Sequence, residues 1–290
     1  MVTIHNEFLT VTAAEKGAEL QSILGADGTE YLWQGDAKYW PDRALNIFPY
    51  VARLTNGSFY LDGKLHHMAI HGIAPYQEFR TAAHTDTEMV LELVSNAETY
   101  ESYPRQFAFR VIYALRGNTL EVTYQVENRD EKTMYFGLGG HPGFNVPLEK
   151  GQSFEDYRLR FRHAHTPSRV GFTEQCYLDG TAAPYALEDG RDIPLHHDLF
   201  DQDAIVLQEM DHEVTLESGK GGHSVTVTYP QMNYLGIWHM PRTDAPYVCI
   251  EPWSSLPSAQ DTVAVLEEQK DLISLEPGNT YRSVWTIRVE

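Results

Sequence analysis

Two cysteines are all this sequence carries, Cys176 and Cys249, and they lie far apart in the chain. That spacing excludes a disulfide framework and a cysteine-based zinc motif. Basic side chains are scarce as well: 22 Lys and Arg stand against 41 Asp and Glu, a net charge of −19. A surface of that sign repels phosphate backbones and anionic headgroups, which argues against nucleic-acid and membrane partners. No apolar run approaches the roughly 18 residues a membrane span requires. Behind Met1 there is no basic-then-apolar leader, because Glu7 and Glu15 interrupt the early residues. A soluble cytoplasmic protein is the expectation. Repeats, Ser- or Pro-rich linkers and long charge blocks are also missing, so residues 1–290 are expected to form one domain.

What is present is enough apolar material for a sizeable core, at 42% hydrophobic and 12% aromatic residues, and a strong alternation of period two. Leu120, Val122, Tyr124 and Val126 alternate with polar neighbours, and large apolar groups recur at every second position of the preceding run, Phe107, Phe109, Val111, Tyr113 and Leu115. Arg116-Gly117-Asn118 between them reads as a tight hairpin turn. Further strands are expected at 3–10, 89–94, 133–138, 157–161, 224–229 and 281–289. Short helical turns are expected at 36–40, 100–106, 195–200 and 264–270. No βαβ spacing recurs, so the fold expected is all-β, a large antiparallel β-sandwich with a few short helices.

Four segments break the alternation. Asn46 to Gly57 is an apolar run that carries Arg53, whose fork of donors suits oxygens in a polar cleft as well as a surface carboxylate. Ile70-His71-Gly72-Ile73 places one imidazole among apolar residues, and Gly72 indicates a close backbone approach. Gly139-Gly140-His141-Pro142-Gly143-Phe144-Asn145 presents His141 from a glycine-lined strand end. Pro142 rules out a dinucleotide fingerprint there, and no Gly-Lys-Ser/Thr phosphate loop is present. Tyr247 to Trp253 ends a buried-looking strand in Glu251-Pro252-Trp253, where apolar neighbours raise a carboxyl toward the range useful for a base. Each of these histidines and this glutamate also has an ordinary structural reading, as turn, core or surface residues. Among the thirteen histidines only His163 and His165 have a metal-like spacing, and nothing completes a zinc motif, so no metal and no cofactor are expected.

Taken together and in this order, the Phe-Pro-x-x-x-Arg, His-Gly, Gly-Gly-His-Pro-x-Phe-Asn and Glu-Pro-Trp segments resemble the galactose mutarotase (aldose 1-epimerase) superfamily, in its divergent bacterial branch. The motifs run from Asn46 to Trp253. The resemblance implies a galactose mutarotase-like supersandwich, with His141 as general acid at a sugar ring oxygen and Glu251 as general base on the anomeric hydroxyl. It further implies that Arg53, His71 and Asp203 hold sugar hydroxyls and that Trp238 lines the pocket; Asn145 is a further candidate for a hydroxyl contact. Better-studied galactose mutarotases carry Asn-His-Ser/Thr around the acid and Glu-Pro-Gln around the base. Gly-Gly-His-Pro and Glu-Pro-Trp stand here instead, a change that bears on sugar preference.

The implied chemistry needs little apparatus. A base takes the proton of the C1 hydroxyl, an acid protonates the ring oxygen, C1–C2 rotates, and reclosure gives the other anomer. One positioned acid and one base at roughly 10²–10⁴-fold each suffice. The expected partner is a small-molecule sugar, and the expected state is monomer or homodimer. Two alternatives stand beside a free aldohexose such as galactose or glucose. A hexose-phosphate mutarotase requires two or more cations at the pocket, for which Arg43, Arg80 and Arg105 are candidates. A non-catalytic carbohydrate-binding protein has no use for both His141 and Glu251.

Overall fold

A computed structural model describes residues 1–290. Two antiparallel sheets dominate it. The larger has nine strands in the spatial order Asp192–Pro194, Tyr157–Phe161, Glu213–Ser218, Ser224–Thr228, Thr280–Val289, Thr119–Asn128, Phe107–Arg116, Glu88–Val94 and Arg80–His84. The smaller has seven, in the order Leu178–Pro184, Ser168–Phe172, Ile205–Gln208, Tyr234–Trp238, Tyr247–Trp253, Gly139–Asn145 and Ala44–Ile47. Three small sheets complete the molecule. No helix is long and apolar enough to cross a membrane.

Alternation sends one face of each large sheet into a shared core, as expected of a sandwich. Phe109, Tyr124, Val227 and Trp285 of the nine-stranded sheet cluster with Phe144, Leu235, Ile237, Val248 and Ile250 of the seven-stranded one. The hairpin of Phe107–Arg116 and Thr119–Asn128 forms as the sequence indicates, pairing Arg116 with Thr119 across Gly117 at φ +60°. The all-β sandwich expectation therefore holds.

The departures have local causes. The stretch 3–10 is two strands, Val2–His5 and Leu9–Ala13, because the Asn6 carboxamide oxygen accepts from the Phe8 and Leu9 amides and turns the chain. Residues 36–40 are a turn with Asp36 accepting from the Lys38 amide, not a helix. The one α-helix is Ala97–Ser102, earlier than expected at 100–106, started by the reciprocal capping of Asn96 and Thr99. Residues 264–270 hold no helix; Ala264–Val265 instead pairs in parallel with Ser58–Leu61. At 195–200 there is a single 3-10 turn, His197–Phe200.

Candidate active site

The opposite face of the seven-stranded sheet carries the site. Along Tyr247–Trp253 the even positions Val248 and Ile250 enter the core. Tyr247, Cys249, Glu251 and Trp253 therefore project from the other side. Gly139 pairs with Trp253 and Gly143 with Cys249, a register that brings His141 opposite Glu251. On the far side Glu251 pairs with Gly236 and Cys249 with Trp238. Glycine eases the packing beside the carboxylate, since a Cβ on Gly236 would lie 3.0 Å from the Trp253 ring and 3.2 Å from the Glu251 Cβ, tighter than ordinary contact.

Here the sheet floors a cavity of about 290 Å³, near the lower end of the range for small-molecule sites. His141 and Glu251 meet at its base, with His141 Nε2 3.2 Å from Glu251 Oε2. Both are buried, and Glu251 is only 1% exposed. The approach is close but not aligned as a hydrogen bond, and Glu251 Oε2 and His141 Nδ1 have no partner in the chain. Groups so buried and unsatisfied fit a site that a polar ligand completes. Three rings wall the imidazole: Trp40 at 4.8 Å between centroids and 32°, Trp238 edge-on at 5.7 Å, and His71 edge-on at 5.3 Å.

Electrostatics sets the resting state of the pair. Burial, then the nearby Asp203, raises the Glu251 carboxyl well above the usual carboxylate range, while the Trp253 indole works weakly against it. Burial, then His71, lowers the His141 imidazole well below its usual value. Each shift favours the uncharged form, so the pair holds one proton, resting on Glu251. Apolar neighbours are expected from the sequence to raise the Glu251 carboxyl toward the range of a base; its burial is complete, and the shift goes further, to favour the protonated form. His71 is held near 4 by burial and by the positive charge of Arg53, and it faces the cavity as a neutral ring.

Arg53, His71, Asp203 and Trp238 all line the same cavity as the pair. The exposed Arg53 guanidinium enters no ion pair in the chain, so its five donors stay available. His71 stands at φ +63°, next to Gly72 at +85°, and its amide bonds the Ala52 carbonyl, which draws the His71 and Arg53 segments together. Asp203, also at positive φ, accepts from the Cys176 thiol at 3.0 Å. Asn145 is the exception. Its amide donates to the Glu30 and Leu32 carbonyls, and it does not line the cavity; it secures an N-terminal segment rather than a ligand. His163 and His165 converge on Asp211, through its carboxylate and its amide, and thus tie two loops together.

Trp40, Asp42, Tyr76 and Cys176 were not singled out by sequence, yet they line the cavity. They come from turns folded over the sheet, where periodicity carries no signal. A Trp-Pro-Asp turn rich in large side chains was the available hint. Among these walls Trp238 is half-buried and packs on the small cluster of Trp33, Trp40 and Tyr247, apart from the main core between the sheets. Trp238→Ala is expected to weaken ligand binding in the cavity several-fold, matching the ~0.5–1.5 kcal/mol of a directed aromatic contact, with little change in melting temperature. A collapsed melting temperature would assign the indole to packing.

Comparison with known proteins gives the family and the fold. The aldose 1-epimerase family model matches residues 1–288. Protein LacX (plasmid) of Lactococcus lactis subsp. lactis is 31% identical over 299 aligned residues, covering 99% of either chain. A galactose mutarotase related enzyme from Lactobacillus acidophilus superposes with a TM-score of 0.94 at 33% identity, covering 99% of this chain and 96% of that one. A galactose mutarotase-like protein from Lactobacillus casei gives 0.94 at 31% identity over the full length of both. With the match running across the sandwich and through every segment of the cavity, the chain belongs to the aldose 1-epimerase family.

Proposed function

We propose that the protein is a mutarotase that interconverts the α and β anomers of a free aldohexose such as galactose or glucose. The observation that carries this reading is the His141–Glu251 pair, 3.2 Å apart at the base of a monosaccharide-sized cavity and unsatisfied within the chain. In its charged form the pair is an imidazolium and a carboxylate. Glu251 takes the proton of the C1 hydroxyl, His141 gives its proton to the ring oxygen, and the C1–O5 bond breaks as C1 becomes a carbonyl. What remains is a neutral imidazole and a protonated carboxyl, the form that burial favours. Rotation about C1–C2 and the reverse transfers close the other anomer. Arg53, His71 and Asp203 are assigned to the hydroxyls and Trp238 to the sugar's C–H face.

Charge in the cavity supports a neutral sugar over a phosphorylated one. Arg53 is the only Lys or Arg that lines it, against the acidic side chains of Asp42 and Asp203. The other candidate cations are committed elsewhere: Arg80 to Glu92, Arg105 to Asp62, and Arg43 to the Gln21 carbonyl and Gln34. Optical rotation with fresh α-D-galactose and α-D-glucose, set beside exchange NMR with glucose 6-phosphate, tests this. Faster conversion of the free sugars is expected. Acceleration of the phosphate alone would make the protein a hexose-phosphate mutarotase, and acceleration of none would make it a binding protein.

The pH profile follows from the shared proton. The one-proton pair persists from the lowered His141 value up to the raised Glu251 value. kcat/KM is therefore expected to stay level through pH 6.5, where a free histidine titrates, and to fall on either flank as the pair gains or loses a proton. A step near 6.5 that disappears in His141→Asn would contradict it.

A further inference from the structure

Cys249 has no part in the proposed proton transfers, yet it sits with the pair. One ligand atom each from His141, Cys249 and Glu251 lie within 4.8 Å of one another, and all three residues are buried. Strand geometry explains this: Cys249 and Glu251 are two residues apart on one face of Tyr247–Trp253, and His141 stands opposite on the neighbouring strand.

We propose that these three side chains bind a zinc-like divalent ion, with its fourth position open to the cavity, and that the ion inhibits the enzyme. The separations fit. With Zn–N and Zn–O bonds near 2.1 Å, the edge of a tetrahedron is about 3.4 Å, and edges to sulfur are about 3.6 Å. His141 Nε2 and Glu251 Oε2 already stand 3.2 Å apart without an aligned hydrogen bond between them. The thiol needs to move little more than about 1 Å to complete the set. One thiolate, one imidazole and one carboxylate favour a borderline-soft ion, whereas magnesium or calcium takes an all-oxygen shell. Burial keeps the thiol protonated while the site is empty, and the charge of an incoming ion reverses that preference. Inhibition follows because the ion occupies Nε2 and the carboxylate; this consequence rests on the proposed function, whereas binding does not.

Titration of the metal-free full-length protein with Co²⁺, followed by absorption, tests binding apart from activity. One equivalent is expected to give a thiolate-to-cobalt charge-transfer band, displaced by Zn²⁺. Cys249→Ala is expected to lose the band and Cys176→Ala to keep it. Glu251→Gln keeps the thiol and is expected to weaken Zn²⁺ binding by more than about tenfold, which covers the case of a Cys249 variant that fails to fold. No band in the wild type, or a band that survives Cys249→Ala, would overturn the site. If Co²⁺ binds as described but the wild type never accelerates mutarotation, the mutarotase reading fails and the metal site stands. In an active enzyme, Zn²⁺ inhibition is expected in the wild type and relief in Cys249→Ala; inhibition of equal strength in both would refute the inhibitory role.

Discussion

Replacing Glu251 with glutamine is expected to lower kcat for mutarotation by about 10²–10⁴-fold while raising the melting temperature. The catalytic loss follows because an amide neither takes the C1 proton nor returns it. His141→Asn is expected to fall in the same range. The double variant should be little worse than the poorer single one, since two groups that exchange one proton act as a unit. The gain in stability follows from burial. Glu251 titrates far higher in the folded chain than its ordinary value of 4.5, so its favourable contribution is complete below that value and is lost as pH rises toward the folded one. Glutamine does not titrate. The gap between variant and wild type should therefore be small near pH 4.5 and widen toward neutrality, reaching on the order of 1–3 kcal/mol, or several degrees. Thermal melts across pH check this, and a destabilised Glu251→Gln at pH 7 would place the carboxylate in a structural role.

The second large effect lies away from the pair. A Cβ on Gly72 would stand 2.3 Å from the Phe48 carbonyl oxygen and 2.5 Å from its carbon, both backbone atoms, at a φ of +85°. No side-chain adjustment relieves such a clash. Ile73 and Ala74 both donate to that same carbonyl, so its displacement disturbs the whole segment that presents His71. Gly72→Ala is expected to destabilise the protein by about 2–4 kcal/mol. It should also lower kcat/KM, because His71 packs against His141. Denaturant melts and sugar kinetics measure both; a change below about 0.5 kcal/mol, the usual range for an ordinary surface substitution, would contradict the close approach.

Much of this was legible in the chain itself. Period-two alternation identified the long hairpin, and the glycine beside it fixed its turn. Phe-Pro-x-x-x-Arg, His-Gly, Gly-Gly-His-Pro and Glu-Pro-Trp supplied all but the loop and aromatic members of the site. The rest was hidden for physical reasons. Whether Glu251 faces core or cavity depends on strand register, which a one-residue slip reverses. Asn145 sits in the most specific motif, yet its amide is spent on the carbonyls of a segment over a hundred residues earlier. Trp40 reaches His141 from a turn, and Cys249, two residues from Glu251 on its own strand, meets His141 only through the register with the neighbouring strand. Contacts of that kind leave no periodic trace.

The most direct test is the approach of fresh α-D-galactose to anomeric equilibrium, followed by polarimetry with wild type, Glu251→Gln and His141→Asn at equal concentration. The expected result is acceleration by the wild type and near loss of it in both folded variants. Undiminished acceleration in either would contradict the assignment of proton transfer to this pair.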